Sequence, residues 1–254
     1  MQQAFVLQRW DYQESSLLLE LFTQQQGRIR VIAKGAKRPK NPWRALLQPF
    51  QLLEVELRGR HDLKTLSNAE AAAKPLSLRG ERLFSAFYLT ELLQRLLPMQ
   101  AAAEELFVEY QQALQLLQSS ADNNSQYELV LRRFEWQLLS LSGLAFDWQT
   151  DINSGANLSG DGYYLFVPGQ GFCQANVDVH NVDVHSDLST QHFLATDIQA
   201  IAVFNINTPA RLQVFKRLMR LALSPYLGSQ PLRSRALFRQ RKPHSQTGTE
   251  TGES

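Results

Sequence analysis

An α+β protein is predicted by two hydrophobic periods that follow one another along the 254-residue chain. In residues 1–76 apolar side chains alternate with a period of two, as in half-buried strands; from Ser77 the period becomes 3.6, as in amphipathic helices. A third stretch, 147–187, follows neither period and is rich in Gly, Asn and Asp. The organisation expected is a barrel domain at 1–76 and a helical domain at 77–146 and 188–242. A loop-rich insertion fills 147–187, and a polar, disordered tail covers 243–254.

The strands come first. Residues 3–9 and 16–22 flank a turn at 11–15, and Leu17, Leu19 and Leu21 share one face. A hairpin through 24–27 leads to a strand at 28–34, where Ile29 and Val31 alternate with Arg28 and Arg30. At 50–58, Leu53, Val55 and Leu57 face one way and Glu54, Glu56 and Arg58 the other. Residues 63–67 add a further short strand. Five short strands separated by turns suggest a small barrel. An OB-type barrel is the natural choice, because its open face and loops often bind single strands. Strand number alone leaves an SH3-like barrel open.

The helices follow. Ser77 is the expected N-cap of a helix with the stripe Leu83, Phe84, Phe87, Tyr88, Leu92 and Leu96, ended by Pro98. A second helix at 102–118 aligns Leu106, Tyr110, Leu114 and Leu117. After a polar loop at 119–125, a third covers 126–142 and stops at Gly143. In it Leu129, Phe134, Leu138 and Leu141 are expected core, and Glu128 and Arg132 stand at i, i+4. In the insertion, 163–167 and 171–174 can pair as a hairpin. A helix is expected over 189–203. Thr208 and Pro209 form an N-cap and N1 pair opening a helix to about Leu223, with Pro225 as its stop. On that helix Lys216, Arg217 and Arg220 share an arc opposite Leu212, Phe215, Leu218 and Met219.

Charge is sharply partitioned. Residues 1–44 hold eight Lys/Arg against three Asp/Glu, 45–210 hold nine against nineteen, and 211–244 hold nine against none. The stretch 27–44, GRIRVIAKGAKRPKNPWR, carries seven cations and no acid. Gly35, Pro39, Asn41 and Pro42 make its second half a loop. A cationic strand face running into a cationic loop suits a polyanion: Arg28, Arg30, Lys34, Lys37, Arg38, Lys40 and Arg44 for phosphates, and Trp43 as a stacking platform for a base. Lys216, Arg217, Arg220, Arg233, Arg235 and Arg239 would extend the track or meet a partner.

Other chemistry is absent from the pattern. The single cysteine, Cys173, excludes an intrachain disulfide and a cysteine-rich zinc site. There is no phosphate-binding loop, dinucleotide fingerprint, HExxH or nucleophile elbow. A five-residue repeat places Asp178, His180, Asp183 and His185 together in sequence, but the spacing matches no common ligand set and a polar loop explains it equally well. No catalytic residue, metal or cofactor is expected. With no run of about 18 apolar residues and no signal peptide, a soluble cytosolic protein is expected.

Three stretches together resemble the bacterial recombination mediator family RecO. They are GRIRVIAKGAK at 27–37, ALLQPF at 45–50 followed by KTLSNAE at 64–70, and SPYLGSQPLRSRALFRQ at 224–240. The order of parts matches too, and the resemblance covers nearly the whole chain. It implies a non-enzymatic, nucleoid-associated protein of recombinational repair whose OB-fold binds single- and double-stranded DNA and anneals complementary strands. With RecR, such a protein helps RecA replace the single-strand binding protein SSB. The resemblance also implies docking of the acidic, apolar C-terminal tail of SSB on the helical region. It assigns this to Arg132, which stands in the matching sequence Leu131, Arg132, Arg133, Phe134, Glu135. One departure is clear. Many members carry four zinc-binding cysteines in the loop-rich region, where this chain has Asp151, Ser154, Cys173 and Asn176. The alternative function is an interaction scaffold whose basic ends meet acidic proteins or RNA.

Overall fold

A computed structural model describes residues 1–120, 124–175 and 191–239, with the backbone alone at 124, 125, 238 and 239. Strands β1 (Gln2–Tyr12), β2 (Ser16–Thr23), β3 (Gly27–Ala33), β4 (Leu52–Arg58) and β5 (Leu63–Ala71) close into a barrel in the order β1-β2-β3-β5-β4. All pairings are antiparallel except β3 with β5. This is the OB-type arrangement expected. The expected strands are all present: β1, β2 and β5 run further than the sequence suggested, β3 is shifted one residue earlier and β4 begins two residues later.

The alternation sorts side chains as expected. Leu17, Leu19, Leu21, Ile29, Val31, Leu53 and Val55 fill the barrel. The opposite parity is not solvated throughout. Phe5, Leu7, Phe22 and Leu52 on the outer face belong to a second core shared with the helices. Phe5 and Phe22 meet Phe107 at 5.4 and 5.3 Å between ring centroids.

Helix α1 (Trp43–Leu46) is one short turn inside the basic loop. Then come α2 (Glu81–Leu96), α3 (Glu104–Ser119) and α4 (Asn124–Leu141). Ser77 is not the N-cap of α2: its N–H donates to Gln118 of α3, and Gly80, at φ 58°, starts the helix instead. The loop-rich region contributes β6 (Tyr163–Val167) and β7 (Gly171–Gln174), and β8 (His192–Leu194), from the segment expected to be helical, joins them in a three-stranded sheet with β6 central. The helix expected over 189–203 is therefore shorter. Residues 192–194 pair with the free edge of β6, and α5 covers only Ala195–Ala202. α6 (Pro209–Leu223) begins as the sequence dictates, with the Thr208 hydroxyl accepting from the N–H of Arg211 at 3.2 Å. α7 (Arg233–Arg239) ends the described chain. The repeat at 178–185 and the tail at 243–254 lie outside the described residues.

The barrel and helices are locked together by Arg28. The residue is 9% exposed and its side chain lies over the C-terminus of α2. It pairs with Glu20 at 2.8 Å and donates to the carbonyls of Gln94 (2.7 Å), Leu93 (3.4 Å) and Leu97. These are carbonyls at a helix end, where the helix has few N–H partners left to offer. Beside it Gln100 donates its N–H to the Arg28 carbonyl at 2.7 Å. Gly27 sits at φ 65° against the Ala101 carbonyl, where a Cβ would collide with backbone.

Glu91 of α2 fixes α7 in a similar way. Its carboxylate accepts the N–H groups of Arg233 and Ser234, both at 2.9 Å, and the Ser234 hydroxyl at 2.7 Å. Arg95 pairs with it at 3.2 Å and donates to the carbonyls of Leu227, Gln230 and Pro231. Burial would raise the Glu91 carboxyl, but these donors outweigh it and hold it below the usual carboxylate range.

Two outcomes are expected. Arg28→Ala leaves Glu20 buried without its cation and should cost about 3–5 kcal/mol of stability in urea unfolding; a loss within error would show that the lock is dispensable. Glu91→Gln should free α7, speeding tryptic cleavage after Arg233 and Arg235 at neutral pH. Because the folded carboxyl is depressed, the Glu91 contribution is complete above the unfolded value of about 4.3 and lost as pH falls through the folded one. Acid should therefore reproduce the release that the glutamine variant shows at neutral pH.

Candidate nucleic-acid interface

The basic stretch folds into two populations of cations. Arg30 leaves β3 on the outer face and is exposed, two residues from the buried Arg28. Arg28 thus departs from the expected phosphate set: the same parity places both on the outside of the barrel, but the end of α2 covers only one. Lys34, Arg38, Lys40 and Arg44 are exposed and Lys37 half-buried. The turn that presents them is internally tied. Asn41 donates its side-chain amide to the Gly35 carbonyl at 3.0 Å and accepts the Trp43 N–H at 2.9 Å. The N–H of Lys37 reaches the Ser15 carbonyl at 2.9 Å, which pins the loop to the β1–β2 turn.

That pinning creates a pocket of about 340 Å³ lined by Arg9, Trp10, Asp11, Leu17, Ala36, Lys37 and Arg44. Trp10 gives it an aromatic wall among three cations. Lys37 pairs with the exposed Asp11 at 3.2 Å, a contact that solvent screens. Trp43, the expected stacking platform, is half-buried and packs partly against the barrel core. Arg9 and Trp10 were not anticipated. The available signal was an aromatic next to an arginine at the end of a strand whose neighbouring turn abuts the basic loop.

The C-terminal cations divide in the same manner. Lys216 is ion-paired with Glu128 of α4. Arg217 donates to the His192 carbonyl at 2.8 Å and lies 4.5 Å from the centre of the Phe193 ring. Both hold α6 in place. Arg220, Arg233 and Arg235 are exposed, and the Arg239 side chain lies outside the described residues.

Arg132 is not the exposed guanidinium that a tail-docking role suggested. It is 6% exposed and pairs with Glu135 at 2.5 Å, while Glu128, its expected partner, is taken by Lys216. Tyr88 donates its hydroxyl to the same Glu135 oxygen at 2.5 Å. Burial pushes the Glu135 carboxyl up, against the pull of Arg132 and Tyr88. Neighbouring Arg133 is exposed and lines a small cleft with Leu116, Val130 and Phe134, whose opposite wall includes Glu109. A broader groove of about 1030 Å³ lies along Leu97, Leu106, Val108 and Leu141. Its rim carries Glu104, Glu105 and Glu109 and no cation, so it suits neither a phosphate backbone nor an acidic tail.

Among the described residues no three His, Cys, Asp or Glu side chains converge as a metal site, and no helix is long and apolar enough to cross a membrane. Burial pushes the Cys173 thiol up, with the Asp151 charge adding to it, which is the opposite of what a nucleophile needs.

Two family models match the chain: Recombination protein O N terminal over residues 1–74, and Recombination protein O C terminal over 78–236. The DNA repair protein RecO of Idiomarina loihiensis is 48% identical over 240 residues, 94% of this chain and 97% of the relative. Those of Actinobacillus pleuropneumoniae and Proteus mirabilis are 40% and 38% identical, each over 94% of this chain and over 95% and 92% of the relative.

Proposed function

The chain belongs to the recombination protein O family, and on that premise we propose that it is a DNA-binding mediator of recombinational repair that works without catalysis. The observation that carries the reading is the exposed cationic loop beside the Trp10 pocket. Arg30, Lys34, Arg38, Lys40 and Arg44 stand free to neutralise phosphates, with Arg9 and Lys37 flanking an aromatic wall. Single strands would bind with backbone along the loop and a base against Trp10; double strands would use the phosphate contacts alone. Annealing needs only this. Neutralised strands can approach each other, and sequence-independent contacts yield to base pairing.

Loading of RecA with RecR onto DNA covered by SSB follows from the same reading, as does capture of the acidic SSB tail. For that tail α4 offers the exposed Arg133 beside Leu116 and Val130, with Arg132 behind it holding Glu135. The Arg133 guanidinium suits a terminal carboxylate and Leu116 and Val130 suit apolar side chains, with Glu109 across the cleft selecting where the acidic residues of the tail can lie.

Anisotropy of a labelled single-stranded oligonucleotide over several salt concentrations tests the main reading. Binding should weaken steeply with salt, and the triple change of Lys37, Arg38 and Lys40 to Ala should flatten the logarithmic slope by about 2 units. Trp10→Ala should weaken single-strand binding by about 1–3 kcal/mol with the slope kept. An unchanged slope in the triple variant would remove the loop from the site. No DNA binding near physiological salt would leave an interaction scaffold. With an SSB tail peptide, Arg133→Ala should lower affinity at constant Tm, whereas Arg132→Ala should lower both. Full peptide affinity in the Arg133 variant would move the tail elsewhere.

A further inference from the structure

In a four-cysteine module two turns each supply two thiolates, and the ion they share is what joins them. The matching positions here do not fit a metal. Of Asp151, Ser154 and Cys173, only the last is a thiol, and its Sγ faces the Leu165 carbonyl at 3.7 Å.

Both oxygens of the Asp151 carboxylate are also engaged. The residue is 5% exposed. Its Oδ1 accepts the N–H of Asn153 at 2.9 Å, the N–H of Ser154 at 2.7 Å and the Ser154 hydroxyl at 2.9 Å. Its Oδ2 accepts the N–H of Gln174 at 2.5 Å, from the strand that carries Cys173. Three donors come from the first turn and one from the second. The backbone closes around them: Ile152 donates to the Phe172 carbonyl at 2.8 Å, and Gly155 donates to that of Asp151 at 2.8 Å.

We infer that the Asp151 carboxylate replaces the metal ion as the crosslink of this module. The electrostatics are inverted. A cation ringed by thiolates becomes an anion ringed by N–H and O–H donors, and charge-assisted bonds of this kind are the stronger class of hydrogen bond. The N–H of Ser154 leads in holding the carboxyl below its ordinary range, so it is ionised at neutral pH. Neither the donors nor the acceptor changes with the supply of zinc. The fold of the module is thereby independent of zinc and of thiol oxidation. The node also positions Phe172 and Trp148, whose rings are 6.2 Å apart, and Trp148 in turn meets Phe215 of α6 at 6.4 Å.

The test combines metal analysis with amide hydrogen exchange on the full chain. The unaltered protein should carry no zinc, give no thiolate charge-transfer band with Co²⁺ and keep its Tm in EDTA. Asp151→Asn, which turns one acceptor oxygen into a donor, should speed exchange of the Asn153, Ser154 and Gln174 amides at least tenfold. Ser154→Ala removes one donor hydroxyl and should give a smaller rise at the Asn153 and Gln174 amides, a check that remains if the asparagine variant does not fold. Stoichiometric zinc in the unaltered protein would overturn the inference, as would unchanged exchange in the Ser154 variant.

Discussion

Most of this structure depends on where one guanidinium is placed. Arg28 leaves the barrel at the position where α2 runs out of N–H partners, and it meets a helix end, a carboxylate and a crossing loop together. A buried cation of this kind is tolerated only with its hydrogen bonds made, so the geometry around it is narrow. Arg28 ties the end of α2 to the barrel. It also commits the outer face carrying Phe5 and Phe22 to packing rather than to a ligand. What is left for a polyanion is the side with the basic loop and the β1–β2 turn.

The cations of this chain therefore fall into two kinds that look identical in sequence. Arg28, Arg95, Arg132, Lys216 and Arg217 are joints: each ties one element to another or to a buried acid. Arg30, Lys34, Arg38, Lys40, Arg44 and Arg220 are exposed. Only the second kind can neutralise phosphate without first breaking a native contact. The total positive charge of a segment therefore overstates its capacity for DNA.

The sequence made much of the fold legible, because period is a local property. Strand parity placed Leu19, Ile29, Val31 and Val55 inside the barrel, and Thr208 with Pro209 marked the start of α6 correctly. Leu129 and Leu141, expected in the core, are instead exposed on α4, but the other misreadings share one cause, a distant partner. His192 and Phe193 have no local reason to be a strand until β6 offers an unpaired edge. Glu128 would serve Arg132 in an isolated helix, but Lys216 arrives from α6 and takes it. Ser77 yields the helix start to Gly80 because Gln118 holds its backbone. The pocket wall at Trp10 was hidden for the same reason, since it exists only where the loop at 34–44 folds back on the first hairpin.

The closed barrel also has a consequence for biosynthesis. Its strands end at Ala71, so the whole barrel can form while the rest of the chain is still being made. The rings that cover its outside, Phe107 and Tyr110, belong to a helix encoded later. For that interval Phe5 and Phe22 face water on a finished domain that has nothing yet to dock against. The nascent chain therefore passes through a stage with an uncovered aromatic face on a finished domain, which lasts until α3 has been made.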